Sequence, residues 1–420
     1  MLVSGLLVYI FFDTCLSLEI NEINKDELFN IISLNDQETC KNDCDFNPDE
    51  YLTAPQIIRR HGYVSESHVV ETSDGFLLTL HRIPANRNGE IGKQPVFLQH
   101  GLLSSSADWV LSANKSLAFI LSDLGYDVWL GNARGNTYSR AHAFLSPDSA
   151  KFWNFSFHEM GIYDLPAMLS HVSNITGKEG DIIYIGHSMG TTMFFVYASL
   201  FPEIANSTVR LMVGLAPVAY TSHIKSPIRY LAPWANDFEW LAKYLGIKEF
   251  LPDGKIMKLL SYGCELFKID KRICKEVIFA VCGFDEDQFD DKMLPVVLGH
   301  DPAGSSTKTI IHYAQEIYHE GDFMEFDYGV DGNLIQYGTT TPPLYNLTNI
   351  NVPTYFMYAE NDWLANPIDV YRLARKVAKN VGLYDVPLKT FNHVDFLWAR
   401  DAPKLVYNKL VSVIKLFPVE

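Results

Sequence analysis

The sequence predicts an α/β fold in which a mostly parallel central sheet, covered by helices, is interrupted by a helical insertion. Between Tyr63 and Ala219, short β-rich runs alternate with helical runs, which is the rhythm of consecutive βαβ units. From Tyr220 to Thr341 helical periodicity dominates, and the β-rich texture returns afterwards. An insertion of about 120 residues is far longer than an ordinary loop, so we expect it to form a structure of its own.

The predicted strands and helices follow one another in a consistent order. The segment SHVVETSDGFLLTLHRI predicts a hairpin, because Asp74-Gly75 separates two alternating runs and suits a tight turn. Near-continuous apolar runs suit strands buried on both faces of a parallel sheet, and these runs are PVFLQ, YDVWL, DIIYI and VRLMVGLA. Crossover helices are expected over 115–124 and 191–201. After the insertion we expect a strand at NVPTYFMYA, a helix over 367–379, a strand near VPLKTF and a last helix over 402–416.

The first residues have the features of a secretory signal. The apolar run from Leu2 to Phe12 is too short to span a bilayer but suits the apolar region of a signal, with cleavage after Ser17. No Lys or Arg precedes the run and Asp13 interrupts the apolar stretch, so a buried N-terminal helix is the alternative. The predicted organisation is a signal peptide (1–17), an N-terminal segment (18–56), an α/β core in two parts (57–219 and 342–420) and a helical cap or lid (220–341).

The composition excludes two classes of protein. Lys and Arg total 34 against 50 Asp and Glu, which gives a net charge of −16 and no basic cluster to attract nucleic acid. The only long apolar run is the N-terminal one, so multi-span membrane proteins are excluded and the mature chain should have no transmembrane segment. Hydrophobic residues at 48% and charged residues at 20% are ordinary for a globular protein.

The cysteines and sequons are compatible with an oxidising compartment, where one or two disulfides could form. Once Cys15 leaves with the signal, an odd number remains, so at least one thiol is free or pairs between chains; these are Cys40, Cys44, Cys264, Cys274 and Cys282. Their spacings match no common zinc pattern and no histidine is interleaved, so no metal site is predicted. Candidate N-glycosylation sites, of which a chain of this size has about three by chance, are Asn114, Asn154, Asn174, Asn206 and Asn346.

The sharpest local motif is a G-x-S-x-G pentapeptide, Gly186 to Gly190, with Ser188 at its centre. A buried apolar strand precedes it and a helix-compatible run follows, which is the context of a nucleophile elbow. Such a turn is strained, and bulk at either glycine would collide with neighbouring backbone. We therefore expect Ser188 to be a catalytic nucleophile; the alternative is an ordinary Gly-Ser turn.

A serine nucleophile needs a histidine base, and the histidine needs a carboxylate that fixes its tautomer. In this type of fold the chain order is serine, acid, histidine. After position 362 the sequence contains a single histidine, His393, which is therefore the candidate base, with a surface-loop histidine as the alternative. Asp362 is the favoured acid and Glu360, on the same loop, is the runner-up, whereas Asp395 is too close to His393 along the chain.

The tetrahedral intermediate of acyl transfer also needs backbone N–H donors. The residue after the nucleophile, Met189, should supply one, and Leu102, which follows His100-Gly101 after a predicted strand, should supply the other. His100 and His187 are expected to be structural. Zinc-peptidase motifs, phosphate-binding G-x-x-x-x-G-K-[ST] and dinucleotide-binding G-x-G-x-x-G are all absent from the sequence, so no metal or cofactor is predicted.

These motifs together make the chain resemble the acid lipases of animals, the gastric and lysosomal enzymes and their insect relatives. The resemblance runs from about Ile57 to Leu410 and is carried by long stretches, which include HGYVSESHVVETSDGFLLTLHRIP, HGLLSSSADWV, GYDVWLGNARGNTYSRAH, FWNFSFHEMGIYDLPA, IGHSMGTT, LAPVA, PPLYNLTNINVPTYFMYAENDWLANPIDV and FNHVDFLWARDAPKLVY. It implies an α/β-hydrolase fold with a helical cap and lid inserted after LAPVA. It also implies a secreted or lysosomal enzyme acting on neutral lipid, acylglycerols or sterol esters, at a lipid–water interface.

Transferred residue by residue, the resemblance implies Ser188 as nucleophile, Asp362 as acid and His393 as base, with oxyanion donors on the backbone of Leu102 and Met189. It further implies a cap disulfide between Cys264 and Cys274 and a free thiol at Cys282, whereas Cys40 and Cys44 lie outside the aligned region and could form a local bridge. Met189 departs from the family pattern, because the vertebrate enzymes typically have Gln there. Two alternatives stay open: a carboxylesterase of small soluble esters, and a non-catalytic lipid-binding homologue.

Overall fold

The computed structural model describes residues 47–234, 248–250, 278–319 and 322–419. Pro48–Glu420 forms one compact unit. The predicted signal peptide, Cys40, Cys44 and the predicted Cys264–Cys274 disulfide lie outside the described residues. Among the helices in the described ranges, none is long and apolar enough to cross a membrane.

Strands in the described ranges form one large sheet and one small pair. They are β1 (Glu66–Glu71), β2 (Phe76–Ile83), β3 (Gln94–Gln99), β4 (Tyr126–Leu130), β5 (Ala141–His142), β6 (Ile182–His187), β7 (Val209–Leu215), β8 (Glu249–Phe250), β9 (Ser305–Ser306), β10 (Thr354–Tyr358) and β11 (Asn380–Asp385). The large sheet is nine-stranded, in the order β1-β2-β4-β3-β6-β7-β10-β11, with β5 paired to β2. Pairing is antiparallel from β1 through β2 to β4 and in β2–β5, and it is parallel from β4 to β11. The predicted mostly parallel sheet is confirmed.

Helices connect and cover these strands. The α-helices are α1 (Ala54–Arg60), α2 (Leu117–Asp123), α3 (Leu165–Thr176), α4 (Met189–Leu200), α5 (Pro202–Thr208), α6 (Leu294–His300), α7 (Thr307–Tyr318), α8 (Gly329–Tyr337), α9 (Pro367–Lys376), α10 (Asp395–Trp398) and α11 (Asn408–Ile414). A helical turn (Phe157–Glu159) and a π-helical segment (Met160–Asp164) lead into α3, and another π-helical segment (Pro403–Tyr407) leads into α11. Short 3₁₀ segments lie at Pro48–Glu50, Ser106–Trp109, Ala113–Lys115, Pro227–Trp234, Asp291–Met293 and Leu347–Asn349.

The predicted hairpin, crossover helices and strand at NVPTYFMYA are confirmed, and the strand predicted near VPLKTF lies directly before that segment. The last strand is β11, and its pairing with β10 ends at Val386, whose N–H donates to the Tyr358 carbonyl at 2.9 Å. As an edge strand, β11 is exposed or half-exposed along its whole length and therefore lacks a continuous apolar run. Val386 and Phe391 are apolar because they are buried from a loop.

The parallel strands bring three loops to one edge of the sheet, because parallel neighbours end on the same side. These are the loops after β3, β6 and β10. Backbone hydrogen bonds join the strand ends there: Ser188 N–H donates to the Leu215 carbonyl at 3.1 Å, and Ala216 N–H donates to the Met357 carbonyl at 2.9 Å. Any side chains that emerge from these loops are therefore neighbours.

The described part of the insertion packs on this same edge. The Tyr313 hydroxyl on α7 donates to Thr192 Oγ1 on α4 at 2.9 Å. Ala303 N–H donates to the Leu103 carbonyl at 2.6 Å, so the segment after α6 contacts the loop after β3. The small antiparallel pair of β8 with β9, which the sequence did not predict, also belongs to the insertion.

Candidate active site

Ser188 occupies a sharp turn between β6 and α4. Its backbone torsions are φ 52° and ψ −119°, a region that residues with a side chain rarely adopt. Such a conformation costs on the order of 1–3 kcal/mol and persists only where the surroundings over-determine it. Eleven of the twelve residues of α4 are buried, so the helix that follows the turn is held firmly in the core.

The two flanking glycines explain how the turn is enforced. A Cβ atom built on Gly186 would lie 2.8 Å from the carbonyl of Gly190, and one built on Gly190 would lie 2.3 Å from the backbone oxygen of Gln99. Real Cβ contacts are longer than this, so only glycine fits at either position. The turn is thus pressed against the end of β3, which brings Ser188 beside the loop that carries Leu102.

His393 and Asp362 meet although they come from different loops. His393 Nδ1 lies 3.0 and 2.9 Å from the two carboxylate oxygens of Asp362. One of those oxygens also accepts the N–H groups of Leu364 at 2.9 Å and Ala365 at 2.7 Å. The exposed fraction is 0% for Asp362 and 3% for His393, so this pair is buried and the surface-loop alternative for His393 is excluded.

The other two acids of this region have different partners. Glu360 is exposed and accepts a hydrogen bond from the Lys389 ammonium. Asp395 accepts the backbone N–H of Asn392 at 2.7 Å. Burial raises the pKa of Asp395 well above its ordinary value, and the neighbouring Asp285 carboxyl adds to this. Of the three candidate acids, Asp362 is therefore the one whose carboxylate contacts the His393 ring.

His187 connects the serine turn to His393. Its Nε2–H donates to the His393 carbonyl at 2.9 Å, and the two ring centroids are 4.9 Å apart. Burial, followed by the His393 ring, lowers the pKa of His187 to about 3, so this histidine is neutral. Because a Cβ on Gly101 would lie 3.2 Å from both His187 Nδ1 and Ser188 Cβ, the loop after β3 passes directly over Ser188.

His100 is anchored within its own loop. Its Nε2 accepts the Ala133 N–H at 3.0 Å and an amide hydrogen of Asn136 at 3.1 Å, while Nδ1–H donates to the Gly101 carbonyl at 2.7 Å. Burial lowers the pKa of His100 to about 4. Both ring nitrogens are used for local structure, as expected from the sequence.

The two backbone groups expected to form an oxyanion site belong to the same neighbourhood. Met189 is the first residue of α4, where an N–H has no intrahelical acceptor, and Leu102 lies in the loop next to Gly101. Within the described ranges, the N–H groups of Leu102 and Met189 have no protein acceptor. Two free donors beside a serine can stabilise a developing negative charge.

Other residues of interest have clear positions. Cys282 is a free, buried cysteine, and burial, with Asp362 and Asp395 nearby, raises the pKa of its thiol. The candidate glycosylation sites are all exposed, namely Asn114, Asn154, Asn174, Asn206 and Asn346. The sequence reasoning missed Asn361 and Asn392, whose amide groups hydrogen-bond around Asp362 and His393; their position directly before those two residues was the available signal.

Comparisons with known proteins show the family of the chain. Residues 54–113 match a family model described as a partial alpha/beta-hydrolase lipase region, and residues 94–272 match the alpha/beta hydrolase fold. The chain is 41% identical over 373 residues to Lipase 1 of Drosophila melanogaster, and the match covers 88% of this chain and 81% of the relative.

Two vertebrate relatives show a similar degree of identity. Gastric triacylglycerol lipase of Bos taurus is 41% identical over 375 residues, covering 88% of this chain and 92% of the relative. Lysosomal acid lipase/cholesteryl ester hydrolase of Homo sapiens is 38% identical over 376 residues, with the same shares. Among solved structures, a soluble variant of monoglyceride lipase from Saccharomyces cerevisiae superposes with a TM-score of 0.52 at 16% identity, over 84% of this chain and 95% of that one. That likeness supports the fold.

Proposed function

The chain belongs to the acid lipase family of animals within the α/β-hydrolases and is a carboxylic ester hydrolase, and from this premise we propose that it hydrolyses neutral lipids through Ser188, Asp362 and His393. The observation that carries the proposal is the buried His393–Asp362 hydrogen bond, at 2.9 Å, next to a serine held in a strained turn. A hydroxyl, an imidazole and a carboxylate in this order are the parts that acyl transfer needs.

In the proposed reaction, Ser188 Oγ attacks the carbonyl carbon of the ester while its proton passes to His393 Nε2. Asp362 accepts the Nδ1–H of His393, which fixes the tautomer and stabilises the imidazolium. The tetrahedral intermediate collapses, the alcohol leaves with the proton from His393, and an acyl-serine remains. Water then attacks the acyl group with His393 as base, which releases the fatty acid and restores Ser188.

The negative charge on the carbonyl oxygen is assigned to the N–H groups of Leu102 and Met189. Removing one such donor typically costs about 10²–10³ in kcat. Because the donor of Met189 belongs to the backbone, the methionine side chain does not prevent the site from forming. Neither reaction step requires a metal or a cofactor.

We propose acylglycerols or sterol esters at a lipid–water interface as the substrates. The names of two relatives, a triacylglycerol lipase and a cholesteryl ester hydrolase, support this class. The insertion, residues 220–341, would act as a cap that opens to admit lipid. An opening cap predicts that the rate on a sparingly soluble ester rises sharply once the substrate exceeds its solubility; a smooth saturation through that limit would contradict it.

We further propose that the protein is secreted or lysosomal, delivered by the signal at 1–17, and that its cap carries a Cys264–Cys274 disulfide. The exposed sequon asparagines support passage through a compartment where N-glycans are added. N-terminal sequencing of the mature protein should begin at Leu18, and glycosidase treatment should lower its apparent mass. An uncleaved, unglycosylated product in animal cells would contradict both expectations.

The direct test is hydrolysis of triolein, cholesteryl oleate and p-nitrophenyl butyrate across pH, by the full chain and by Ser188→Ala. We expect turnover of at least one lipid ester, and a loss on the order of 10⁶ in kcat for the variant with unchanged folding. Activity on the butyrate alone would favour the carboxylesterase alternative. Inactivity on all three esters would favour a lipid-binding protein, and an active Ser188→Ala would remove Ser188 from the reaction.

A further inference from the structure

A short piece of the insertion, residues 282–284, lies between the two core loops that carry Asp362 and His393; we call it the clasp. Its central residue, Gly283, has φ 111°, a conformation that favours glycine. A Cβ on Gly283 would lie 2.2 Å from the Asn361 carbonyl oxygen and 3.2 Å from Asn392 Cβ. The clasp backbone therefore touches both loops, one residue before the proposed acid and one before the proposed base.

The carbonyl of Cys282 bonds to both loops at once. It accepts the N–H of Trp363 at 3.3 Å and the N–H of His393 at 3.4 Å. One oxygen of the insertion thus joins the residue after Asp362 to His393 itself. A shift of the clasp would therefore move the loop that carries Asp362 relative to the loop that carries His393.

Asn392 connects the loop that carries His393, the base loop, to the clasp by a hydrogen bond. Its amide Nδ2 donates to the Gly283 carbonyl at 2.9 Å, and its Oδ1 accepts the N–H groups of Val394 at 3.0 Å and Asp395 at 3.1 Å. The residue is completely buried, with 0% of its surface exposed. These side-chain hydrogen bonds are all directed at the clasp or at the two residues after His393.

Asn361 makes the corresponding contacts from the loop that carries Asp362, the acid loop. Its Nδ2 donates to the Phe284 carbonyl at 2.8 Å and to the Thr390 carbonyl at 2.7 Å. Its Oδ1 accepts the indole N–H of Trp363 at 3.1 Å. This one amide therefore links the acid loop, the clasp and the base loop.

We infer that Asn361 and Asn392 are positioning residues which, through the clasp, fix the geometry of the Asp362–His393 pair. The insertion then serves the chemical step directly, in addition to any control of substrate entry. The inference rests on the proposed function. A displacement of about 1 Å in a reacting group can cost about 10²-fold in rate, so a clasp that lies outside the catalytic groups can still govern turnover.

The first test is Gly283→Ala, assayed with p-nitrophenyl butyrate, a soluble ester that does not need a lipid surface. The added Cβ has to displace the Asn361 carbonyl, and we expect kcat to fall about 10- to 100-fold while KM stays within about twofold. Gly329→Ala is the matched control, because Gly329 also has a positive φ, 75°, but a Cβ added there would have no neighbouring atom within 4 Å. It should leave kcat unchanged.

The second test is Asn361→Ala, which keeps the inference falsifiable if Gly283→Ala does not fold. Asn361 is only half-buried, so its truncation should leave a folded protein with a kcat reduced about 10-fold or more and a similar KM. Asn349→Ala is the control, since the exposed Asn349 donates its amide to the Ser199 carbonyl at 3.1 Å, away from the site. A kcat within twofold of wild type in folded Asn361→Ala and Gly283→Ala would overturn the inference.

Asn392→Asp adds a readout that a purely structural residue would not give. The new oxygen faces the Gly283 carbonyl and can donate to it only when protonated, so the ratio of variant to wild-type kcat should rise as pH falls. Asp395 and Asp285 lie close by and disfavour a further negative charge there. Asn380→Asp is the control, because the Asn380 Nδ2 also donates to a backbone carbonyl, that of Ala374 at 3.0 Å, and it should show a constant kcat ratio. A constant ratio for Asn392→Asp as well would remove Asn392 from the inference.

Failure of this inference and failure of the proposed function give different results. If Ser188→Ala is inactive while the variants of Asn361, Asn392 and Gly283 all turn over like wild type, the positioning role is wrong and the serine mechanism stands. If Ser188→Ala keeps its activity, the proposed function fails whatever the clasp variants do.

Discussion

The serine turn and the acid–base pair are held in place by different physical means. Ser188 is held by close backbone packing, because Gly186 and Gly190 lie so near other backbone atoms that a Cβ on either would collide with them. Asp362 and His393 are fixed by hydrogen bonds that reach across three separate segments of the chain. A substitution that violates the steric constraint should lower the folding stability, whereas one that breaks the hydrogen bonds should disturb the geometry of the acid–base pair. Damage to the first region should therefore appear in denaturant unfolding, and damage to the second in kcat.

Among substitutions that keep Ser188 itself, the largest expected effect is on the acid–base side. Asp362→Asn removes the negative charge and turns one oxygen into an NH2 donor that favours the wrong His393 tautomer, so it should lower kcat on the order of 10⁴-fold with little change in folding. Glu360→Gln is the matched control: Glu360 lies on the same loop but bonds to Lys389, so its loss should be mild. Steady-state kinetics on a soluble ester will rank the two, and the opposite ranking would reassign the acid.

For the glycines that flank Ser188 we expect a loss of stability. Gly190→Ala places a Cβ 2.3 Å from the Gln99 backbone oxygen, which cannot move aside as a flexible side chain would. Overpacking of this kind costs about 3 kcal/mol of unfolding free energy or more. Gly214→Ala, whose Cβ would meet its nearest atom, a side-chain carbon, at 3.2 Å, should cost less. Denaturant unfolding of both variants measures the difference, and equal stability would show that the turn is not held by sterics.

A second contact with the insertion lies at the loop after β3, where Ala303 N–H donates to the Leu103 carbonyl and two buried carboxyl groups come close together. Asp108, in the 3₁₀ segment that follows this loop, accepts a hydrogen bond from Ser104 and faces Asp301 of the insertion. Both carboxyl groups are buried, and burial together with their mutual repulsion raises the pKa of Asp301 well above its ordinary value. Two buried carboxyl groups this close are therefore stable together only while at least one of them is protonated.

The sign of the pH effect follows from this raised pKa. Above about pH 4 the unfolded chain releases protons that the folded pair retains, so folding stability falls as pH rises. Asp301→Asn removes one of the two acids and should flatten the decline of Tm between about pH 4 and pH 7. The exposed Asp331→Asn is the control and should leave the slope as in wild type. If the slope of Asp301→Asn also matched wild type, the carboxyl pair would not be a proton-dependent contact.

The smallest expected effect belongs to Met189→Gln. This change restores the residue typical of the vertebrate enzymes at a position whose proposed role lies in its backbone N–H. Because that donor remains, kcat on a soluble ester should change by less than about tenfold, well below the loss expected for a missing donor. A loss of about 10²-fold or more would mean that the side chain, and not only the backbone, shapes the site.

Most of the sheet was predictable because burial on both faces leaves a continuous apolar run. β3, β4, β6, β7 and β10 all show one, and the structure confirms them. The bounds of β11 were not predictable because an edge strand is half-exposed, and the small β8–β9 pair was not predicted because two residues carry no periodicity. The apolar residues Val386 and Phe391 drew the predicted strand past its true end, since burial from a loop gives the same composition.

The sequence by itself determined the features that depend on neighbours along the chain. The turn at Ser188 is one, since its strain and its glycines are local, and the choice of His393 is another, because no other histidine follows position 362. Only the tertiary structure decided between Glu360 and Asp362 as the partner of His393, and only it revealed the clasp. Those contacts join residues that are 31 and 109 positions apart, and a hydrogen bond between distant segments leaves no periodic trace in either of them.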